Sequence, residues 1–562
     1  MKADKVLVVD GFNDQPFGLG VPPFLAVEPR YTAGACWLRD SKSRVIYATI
    51  QDLRSGRKAS LLRDADLVFV YAGVKEASPE VRPSNFDARD TIPELQDLFD
   101  YIAYLDCPKI LAGPYALLRA DTAKEKLGVD AVVTGDMSKY AWNLLDPDAS
   151  IDDVDPAVRR TQEDVSAFAL PGAGLLVQNP GYPDFLSCSV ELYRGCPSSS
   201  AGGCSFCHQR FYTTVQYRPV EDVLAEISKI SELGCQNIVL ESPCFFSYFS
   251  TPTEDGGVQL DPAAIEKLLE GIGRVAPELR SVHISSINPR VVADNPDDAK
   301  KILTAVMKNC SSANFPTLEV ITFDDEVHLQ NNTPASSEQS RQAIEIMAEA
   351  AGSARAGLPS FLPTVELVYG LAAENEETAT RNLEQLSEMA ERGLIRGVTA
   401  RRLVPVPGTP IYKRDDIAQI PDLEGHMNAL RERVNSTCES KLARPGELID
   451  NVFAYASLDG SSLAQTVGIN PVHLVVYGSS DGKSSQDVRV TGFSDSRLEA
   501  VVQPLEPRTV SRDILRLLPG MTEDRIDMFM KFRPEREDEF LQLFEDPVEG
   551  RRAASFFEFK KE

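Results

Sequence analysis

The sequence predicts an α/β protein of four consecutive units, and three observations lead to this fold class. Apolar runs typical of buried strands alternate with amphipathic helices through the first 440 residues, which is the pattern of parallel sheets with crossover helices. Short strands separated by turns follow, and a helical segment ends the chain. A chain of 562 residues is too long for one core, so we expect units at 1–180, 181–440, 441–504 and 505–562.

Residues 1–180 predict a flavodoxin-like domain. Its first strand is Lys5–Asp10, and Asp10 lies at the carboxyl end of that strand, where such sheets bind their ligands. The further strands are expected at Val45–Thr49, Leu67–Ala72, Lys109–Leu111 and Ala131–Gly135.

Residues 181–440 predict a partial (β/α) barrel, a fold that carries its chemistry at the carboxyl ends of the strands. The expected helices include Ser336–Ala351, which begins with a partial capping box, and Glu376–Arg392. The expected strands are Asn237–Leu240, Ser281–Ile284, Leu318–Thr322, Thr364–Tyr369 and Val398–Val406.

Three cysteines, Cys196, Cys204 and Cys207, lie in one short loop at the start of this unit. Thiols this close, in a chain without secretory features, indicate a metal site more than disulfides. A closed zinc site has four protein ligands, and an iron–sulfur cluster usually takes four cysteines. Three cysteines would leave one iron open to a ligand that is not protein, as the reductive cleavage of S-adenosylmethionine (SAM) requires.

Three alternatives for this loop stay open. Cys204-Ser-Phe-Cys207-His208 matches a haem attachment pattern, but no export signal precedes it. The same cysteines with His208 could form a zinc site, although adjacent Cys207 and His208 chelate one ion awkwardly. Cys188 could close an iron–sulfur cluster as a fourth ligand, but it lies in an alternating strand and is better explained as a core cysteine.

The residues around these cysteines resemble the start of a radical SAM barrel. The resemblance is carried by Tyr193-Arg194-Gly195-Cys196-Pro197, by the aromatic Phe206 before the last cysteine, and by the segment Tyr217–Ile227. The usual radical SAM signature is C-x3-C-x2-C, whereas this chain has C-x7-C-x2-C. The four extra residues are small and flexible, and such an insertion can bulge outward without moving the sulfurs.

The resemblance implies a [4Fe–4S] cluster on the three cysteines, SAM as cosubstrate, and an electron donor of the ferredoxin or flavodoxin type. From their places at strand ends, we expect Phe206 near the adenine and Glu241 and Ser242 near the methionine ammonium. Near the ribose we expect Ser285, Ser286 and Asn288.

More closely, the chain resembles archaeal radical SAM proteins with a C-terminal helix-hairpin-helix. Two segments depart from common radical SAM patterns: Ile321–Asp325 stands where Gly-Leu-Glu-Ser is frequent, and Gly370–Asn375 replaces a Gly-Glu-Thr turn. Either the SAM pocket has been rebuilt with acidic groups or the activity has weakened, and the intact cysteines favour a rebuilt, working pocket. The matching segments are Leu19–Pro23, Arg30–Gly34, Gln330–Asn332, Gly357–Pro359 and Pro407–Thr409.

The N-terminal unit also resembles the cobalamin-binding domains that precede many radical SAM barrels, through Val132–Asp136. Those that bind cobalt use a histidine, and this unit contains none, because the five histidines begin at His208. Lower axial ligation by a histidine of this domain is therefore excluded. A cobalamin held without it is the less favoured alternative to a degenerate domain that shapes the substrate entrance.

Residues 441–504 predict a small β-barrel, similar to the TRAM module that holds tRNA in methylthiotransferases. A structural lid is the alternative. The turns Asp459-Gly460 and Asp481-Gly482 are hairpin signals. The expected strands are Leu448–Leu458, His473–Tyr477, Asp487–Phe493 and Leu498–Val502.

The segment Ser511–Pro534 resembles a helix-hairpin-helix with its turn at Leu518–Met521. Such a turn beside a helix N-terminus can take a phosphate of RNA or DNA, and a simple packing role is the alternative. The acidic groups Glu523, Asp524 and Asp527 would repel a nucleic-acid backbone. The basic groups are Arg508, Arg512, Arg516, Arg525, Lys531, Arg533 and Arg536.

The net charge of −26 and pI near 4.8, together with the archaeal resemblance, favour a protein of a halophilic archaeon over an ordinary acidic cytosolic protein. The same acidity argues against non-specific nucleic-acid binding. No apolar run reaches the roughly 18 residues of a membrane span, so we expect a cytoplasmic protein without membrane contact. The favoured function is a radical SAM enzyme of unknown substrate, with nucleic acid such as tRNA as one candidate. A nucleic-acid-binding protein with a structural cluster and a zinc-stabilised scaffold are the alternatives.

Overall fold

A computed structural model describes residues 1–11, 24–72, 98–183, 186–212, 214–254, 256–350, 357–415, 423–478, 484–494 and 497–560. These residues form an α/β protein with two parallel sheets and a small closed β-barrel, followed by short helices. The predicted segment Leu19–Pro23 and the Asp481-Gly482 turn lie outside the described residues.

The first sheet is parallel and has the strand order β3-β1-β4-β5-β6. Numbered within this sheet, the order is 2-1-3-4-5, which is the flavodoxin-like order that the sequence predicts. Val6–Val9 in the central strand are almost completely buried, as expected for a strand covered on both faces. The strands of this region are β1 (Lys5–Asp10), β2 (Phe24–Leu25), β3 (Arg44–Thr49), β4 (Leu67–Tyr71), β5 (Lys109–Ala112) and β6 (Ala131–Val133). The helices are α1 (Val27–Arg39), α2 (Ile50–Ser55), α3 (Ala59–Leu62), α4 (Pro114–Leu127), α5 (Met137–Leu144) and α6 (Gln162–Gly172).

The N-terminal region is less separate from the barrel than the predicted boundary at residue 180 implies. Strand β2 pairs with Ser187 and Cys188 of the barrel rather than with the first sheet. Helix α1 contacts both sheets, and residues from Val27 to Cys36 are all buried. A helix that is covered on all sides lies inside a core rather than on a domain surface. One continuous apolar core therefore joins the two units.

The second sheet is the partial barrel, with the order β2-β7-β10-β13 continued by β14-β15-β16-β17. Ser285 joins the two halves, because its N–H donates to the Leu240 carbonyl (3.1 Å) and its carbonyl accepts from the Thr317 N–H (2.9 Å). The barrel strands are β7 (Ser187–Glu191), β8 (Tyr193–Arg194), β9 (Gln216–Tyr217), β10 (Asn237–Glu241), β11 (Thr251–Pro252), β12 (Val258–Gln259), β13 (Ser281–Ile284), β14 (Ser286–Ile287), β15 (Thr317–Ile321), β16 (Thr364–Tyr369) and β17 (Gly397–Arg402). The helices are α7 (Val220–Glu232), α8 (Pro262–Val275), α9 (Pro289–Asp294), α10 (Pro296–Asn309), α11 (Asp325–Asn331), α12 (Ser337–Ala350), α13 (Glu376–Arg392), α14 (Leu423–Ala429) and α15 (Ser436–Leu442), and a π-helical turn, Leu430–Asn435, lies between α14 and α15.

Local signals in this unit are confirmed with one correction. The predicted capping box is present, since the Ser336 hydroxyl accepts from the Gln339 N–H and the Gln339 side chain accepts from the Ser336 N–H. The last strand was expected to reach Val406 but ends at Arg402. Pro405 and Pro407 follow it, and proline has no N–H to donate to a neighbouring strand.

The small barrel is closed, with the order β18-β19-β20-β22-β21 and parallel pairing of β20 with β22. This is a five-stranded Greek-key barrel of the OB-fold type. The Asp459-Gly460 turn joins β18 to β19, a strand that the sequence analysis missed because its Ser, Gln and Thr residues read as a loop. The strands are β18 (Leu448–Leu458), β19 (Ser461–Thr466), β20 (His473–Tyr477), β21 (Gln486–Ser494) and β22 (Arg497–Val502).

The small barrel covers the amino-terminal ends of the large barrel's strands. Phe315, which precedes β15, and Leu362, which precedes β16, share an apolar cluster with residues of the small barrel. The Asn470 side chain donates to the Phe315 carbonyl (2.7 Å). Because the cysteine loop follows the carboxyl end of β7, the small barrel lies at the opposite end of the large one.

The chain ends in four helices that pack on the small barrel through an apolar cluster containing Val501. The predicted turn lies between the first two, where Gly520 has a φ of +79°. No described helix is long and apolar enough to cross a membrane. These helices are α16 (Arg512–Leu517), α17 (Glu523–Phe532), α18 (Glu537–Leu541) and α19 (Pro547–Ala554).

Candidate cofactor site at the carboxyl ends of the barrel strands

The cysteine loop is fixed at its base by a short antiparallel ribbon. Strand β8 pairs with β9, with Tyr193 opposite Tyr217. Between β8 and Cys196 lies Gly195 with a φ of +83°, and a Cβ on it would stand 2.8 Å from the Thr214 carbonyl oxygen. Only glycine fits this close approach, which sets the direction in which Cys196 leaves the ribbon.

Two of the cysteine sulfurs accept hydrogen bonds from backbone N–H groups. The Cys196 sulfur accepts from Ser198 and Ser199 at the start of a 3₁₀ turn, Pro197–Ala201. The Cys207 sulfur accepts from the Gln209 N–H (3.5 Å) at the start of the next such turn. Hydrogen bonds of this kind stabilise negative charge on sulfur and tune iron–sulfur sites. The residues inserted after Cys196 thus form a compact turn that serves the first cysteine.

The three cysteines of the loop lie close enough together to shift one another's pKa values. Burial raises the pKa of Cys204 well above its usual value, and Cys207 and Cys196 raise it further. Burial also raises the pKa of Cys207, to about 12, against the effect of the Gln209 N–H. Thiols in such surroundings stay protonated unless a positively charged group binds them, and a metal supplies that charge.

Among the described residues, no three His, Cys, Asp or Glu side chains are arranged to hold a single metal ion. A [4Fe–4S] cluster attaches each cysteine to a different iron, so its ligands need not converge on one point.

Two carboxylates that the sequence analysis missed face these cysteines from inside the barrel. Glu319 in β15 acts electrostatically on Cys196, Cys204 and Cys207, although these belong to a loop on the other side of the barrel. Burial, together with Glu366 of the neighbouring strand β16, raises the pKa of Glu319 to about 8, although the hydrogen bond with the Ser286 side chain lowers it.

Glu366 is ion-paired with Arg401 of β17 (2.5 Å). The sequence does hold a signal for these groups, because β15 and β16 both begin with Thr, an apolar residue and Glu. A carboxylate in the middle of a buried strand is costly unless it has a partner or a function. The acidic lining of the barrel thus comes from Glu319 and Glu366.

Two of the acidic groups in the segments that were predicted to rebuild the SAM pocket, Asp324 and Glu374, have partners within the protein. Asp324 caps α11 by accepting from the Glu326 N–H (3.0 Å), and it is ion-paired with Arg381 (2.7 Å). The Glu374 carboxylate accepts from the N–H groups of Gly370 and Leu371, which closes its own turn. Both segments therefore stabilise loops behind the strand ends.

Glu241 and Ser242 lie at the carboxyl end of β10, as predicted, and both are largely buried. The Glu241 side chain accepts from the Ser189 hydroxyl, and burial raises its pKa. The Ser242 hydroxyl oxygen is buried without a hydrogen-bond partner in the described part of the chain. A buried polar atom of this kind is a place where a ligand can form a hydrogen bond.

The three residues predicted near the ribose have partners within the protein. The Ser285 hydroxyl donates to the Ser242 carbonyl (3.2 Å) and accepts from the Ser242 N–H (3.0 Å). The Asn288 side chain caps α9 by accepting from the Arg290 N–H (2.9 Å). Ser286 contacts Glu319. Of the three, Ser286 is the one that adjoins the acidic lining of the barrel.

Phe206, predicted near the adenine, packs into an apolar cluster at the ends of β15 and β16. The cluster includes Ile321, Val368 and Leu371. Phe206 thus attaches the second half of the cysteine loop to the far side of the barrel.

Cys188, the alternative fourth cluster ligand, lies in the core beside Cys235 and close to Arg30.

A buried ion network connects the N-terminal domain to the cysteine loop. Arg194, two residues before Cys196, is ion-paired with Asp136 at the end of the first sheet, and with Glu28 (2.9 Å) and Glu191 (2.7 Å). Arg160 also pairs with Glu28 and Glu191. Burial alone would raise the pKa of Asp136, but Arg194 and Arg160 lower it.

The network shows that the carboxyl ends of both sheets face each other. Tyr71, the last residue of β4, is close enough to Glu241 of the barrel for the two to interact electrostatically. The N-terminal domain therefore stands over the mouth of the barrel. Asp136, which the sequence analysis placed in a cobalamin-like segment, is engaged by Arg194.

Comparison with known proteins places the chain in a family. No family model matches the sequence. Uncharacterized protein MJ0274 of Methanocaldococcus jannaschii is 31% identical over 471 residues, which cover 81% of this chain and 84% of the relative. The chain belongs to the family of MJ0274. An uncharacterized protein of Archaeoglobus fulgidus is 27% identical over 532 residues, covering 92% of this chain and 93% of the relative.

Two of the solved structures that resemble this chain are described as SAM radical enzymes. The radical SAM methyltransferase TsrM of Kitasatospora setae is 15% identical and has a TM-score of 0.49, with 80% of this chain and 78% of that chain covered. The cobalamin-dependent SAM radical enzyme OxsB is 12% identical and has a TM-score of 0.45, with 69% of this chain and 52% of that chain covered. Similarity at this level does not establish a common reaction.

Proposed function

We propose that this protein is a radical SAM enzyme whose Cys196, Cys204 and Cys207 bind a [4Fe–4S] cluster. The observation that carries the proposal is the grouping of three thiols from one loop at the carboxyl ends of the barrel strands. The donor set suits an iron–sulfur cluster, because thiolates are its usual ligands and backbone N–H groups donate to the sulfurs of Cys196 and Cys207.

When bound, the cluster and SAM supply one-electron cleavage of the sulfonium bond, which gives methionine and a 5′-deoxyadenosyl radical. The electron comes from an external donor of the ferredoxin or flavodoxin type. The protein itself binds the cluster and SAM, orients them, and excludes water from the site.

The residues around the barrel mouth divide these tasks. Ser242 offers a buried hydroxyl without a partner among the described residues, which suits contact with the amino acid part of SAM. Ser286 and Glu319 supply polar groups for the ribose or for the substrate. Ser285 and Asn288 act indirectly, by holding Ser242 and α9 in place.

The N-terminal domain closes the mouth of the barrel and shapes the substrate entrance. The pairing of Asp136 with Arg194 supports this role over cobalamin binding, since the ion network occupies the end of the first sheet next to the cysteine loop.

The helical tail is proposed to pack on the small barrel and not to bind RNA or DNA. Its position with the small barrel, at the end of the large barrel away from the cysteines, supports that role.

The experiment is anaerobic reconstitution with iron and sulfide, reduction with dithionite, and detection of 5′-deoxyadenosine formed from SAM. The expected result is cleavage by the natural sequence. The Ala variants of Cys196, Cys204 and Cys207 should lose both the broad visible absorption and the cleavage.

Cys188→Ala, Cys235→Ala and Cys244→Ala are the matched controls, because each removes a buried thiol outside the loop at a typical cost of about 1 kcal/mol in free energy of unfolding. They should keep the cluster. A cluster without SAM cleavage would favour a structural cluster in a nucleic-acid-binding protein. Zinc without iron in anaerobically purified protein would favour the scaffold.

A further inference from the structure

The second half of the cysteine loop is attached to the side of the barrel opposite the first half. Cys196 follows the β8–β9 ribbon next to β7, whereas Phe206 packs against the ends of β15 and β16. The spacing of the three sulfurs therefore depends on whatever fixes the segment from Cys204 to Cys207.

Ser205, in the middle of that segment, is held at three of its atoms. Its N–H donates to the carbonyl of Asn331 (2.8 Å), and its carbonyl accepts from the N–H of Ile411 (3.0 Å). Its hydroxyl donates to the Asn331 side-chain oxygen (3.2 Å). Asn331 supplies two of these three contacts.

Asn331 is fully buried at the end of α11, and every hydrogen-bonding position of its side chain is used. The side-chain amide donates to the carbonyls of Val327 (2.8 Å) and Ala372 (2.9 Å). The side-chain oxygen accepts from the Ser205 hydroxyl and from the Ala372 N–H (3.3 Å). An asparagine amide offers two donors and an acceptor oxygen with two lone pairs, so this site satisfies it completely.

We propose that Asn331 is a positioning residue that fixes Cys204 and Cys207 relative to Cys196. It joins three segments that are distant in sequence: the end of α11, the turn after β16 and the cysteine loop. Aspartate has the same shape but cannot donate to two carbonyl oxygens, and alanine removes all four side-chain contacts. This inference rests on the proposed function for its cluster readout, while the geometry of the loop can be tested without metal.

The metal-free test is amide hydrogen exchange on the full-length protein before reconstitution, comparing the natural sequence with Asn331→Ala, Asn331→Asp and Ser205→Ala. Gln330→Ala is the matched control, because the Gln330 side chain is exposed and donates to the Glu326 carboxylate on its own helix (3.0 Å). In the Asn331 variants we expect the segment from Cys204 to Cys207 to exchange at least tenfold faster, with a smaller increase in Ser205→Ala. Exchange equal to that of Gln330→Ala in every variant would overturn the inference.

The second test measures iron per chain and the electron paramagnetic resonance spectrum of the reduced, reconstituted protein. We expect Asn331→Ala and Asn331→Asp to bind less than half the iron of the natural sequence, or to give an altered spectrum, while Ser205→Ala and Gln330→Ala keep their iron. Folded Asn331 variants with unchanged iron and spectrum would refute the positioning role. If the natural sequence itself binds no iron, the proposed function fails, and the exchange experiment still decides whether Asn331 holds the loop.

Discussion

Glu226 should contribute more to stability than any exposed acid on the same helix, because it neutralises two buried arginines. Its carboxylate is ion-paired with Arg30 of α1 (2.7 Å) and Arg218 (2.6 Å), and the side chains of all three are at most 1% exposed. In Glu226→Gln the two guanidinium groups stay buried and lose the carboxylate that is ion-paired with both of them. Breaking a buried pair in this way costs about 3–5 kcal/mol in free energy of unfolding.

The assay is urea unfolding followed by tryptophan fluorescence. The chain has two tryptophans, Trp37 and Trp142, and Trp37 lies on α1 together with Arg30, so the signal reports on the helix that loses its partner. Glu232→Gln is the control on α7, because this exposed acid pairs with Lys229 at the surface and should contribute less than about 1 kcal/mol.

The effect should also depend on pH. Burial alone would raise the pKa of Glu226, but Arg218 and Arg30 outweigh burial and lower it below its usual value of 4.5. A lowered pKa in the folded state stabilises the protein above the unfolded pKa, and this contribution is lost as the pH falls through the folded value. The difference between the natural sequence and Glu226→Gln should thus be full at pH 7 and shrink below about pH 4.5. Equal midpoints for Glu226→Gln and Glu232→Gln at pH 7 would refute the reasoning.

Two further predictions concern the C-terminal units. Gly468→Ala should destabilise the contact between the two barrels, because Gly468 has a φ of +123° and a Cβ on it would clash with Nδ1 of His283. The control is Gly460→Ala, where the hairpin leaves open space around the new Cβ. This control should cost only about 1–2 kcal/mol in free energy of unfolding, from backbone strain. A thermal midpoint lowered equally by both substitutions would contradict this. For the tail, fluorescence anisotropy with RNA and DNA should show no salt-dependent binding, because Arg512 and Arg516 already pair with acids of the tail. A slope of log affinity against log salt of about −2 or steeper, lost in the double Ala variant, would instead indicate about two or three phosphate contacts.

The sequence by itself determined the elements and the cysteine loop. Strands such as Lys5–Asp10 and Thr364–Tyr369 are apolar runs between polar turns, and their burial follows from local composition. The capping box at Ser336 likewise involves residues three apart. The three cysteines lie within twelve residues, so their grouping needed no knowledge of the fold.

Only the tertiary structure decided which distant groups surround those cysteines. Glu319 and Glu366 act electrostatically on the loop because the curvature of the sheet brings them close to it. That curvature depends on packing over the whole barrel. The contact of Asn331 with Ser205 joins residues 126 positions apart, and the pairing of β2 with β7 joins two units that composition separates. The place of the small barrel was also unpredictable, because its surface matches the amino-terminal ends of strands formed by residues far earlier in the chain. Local patterns specify local structure, whereas contacts between distant segments are set by how all the elements exclude water together.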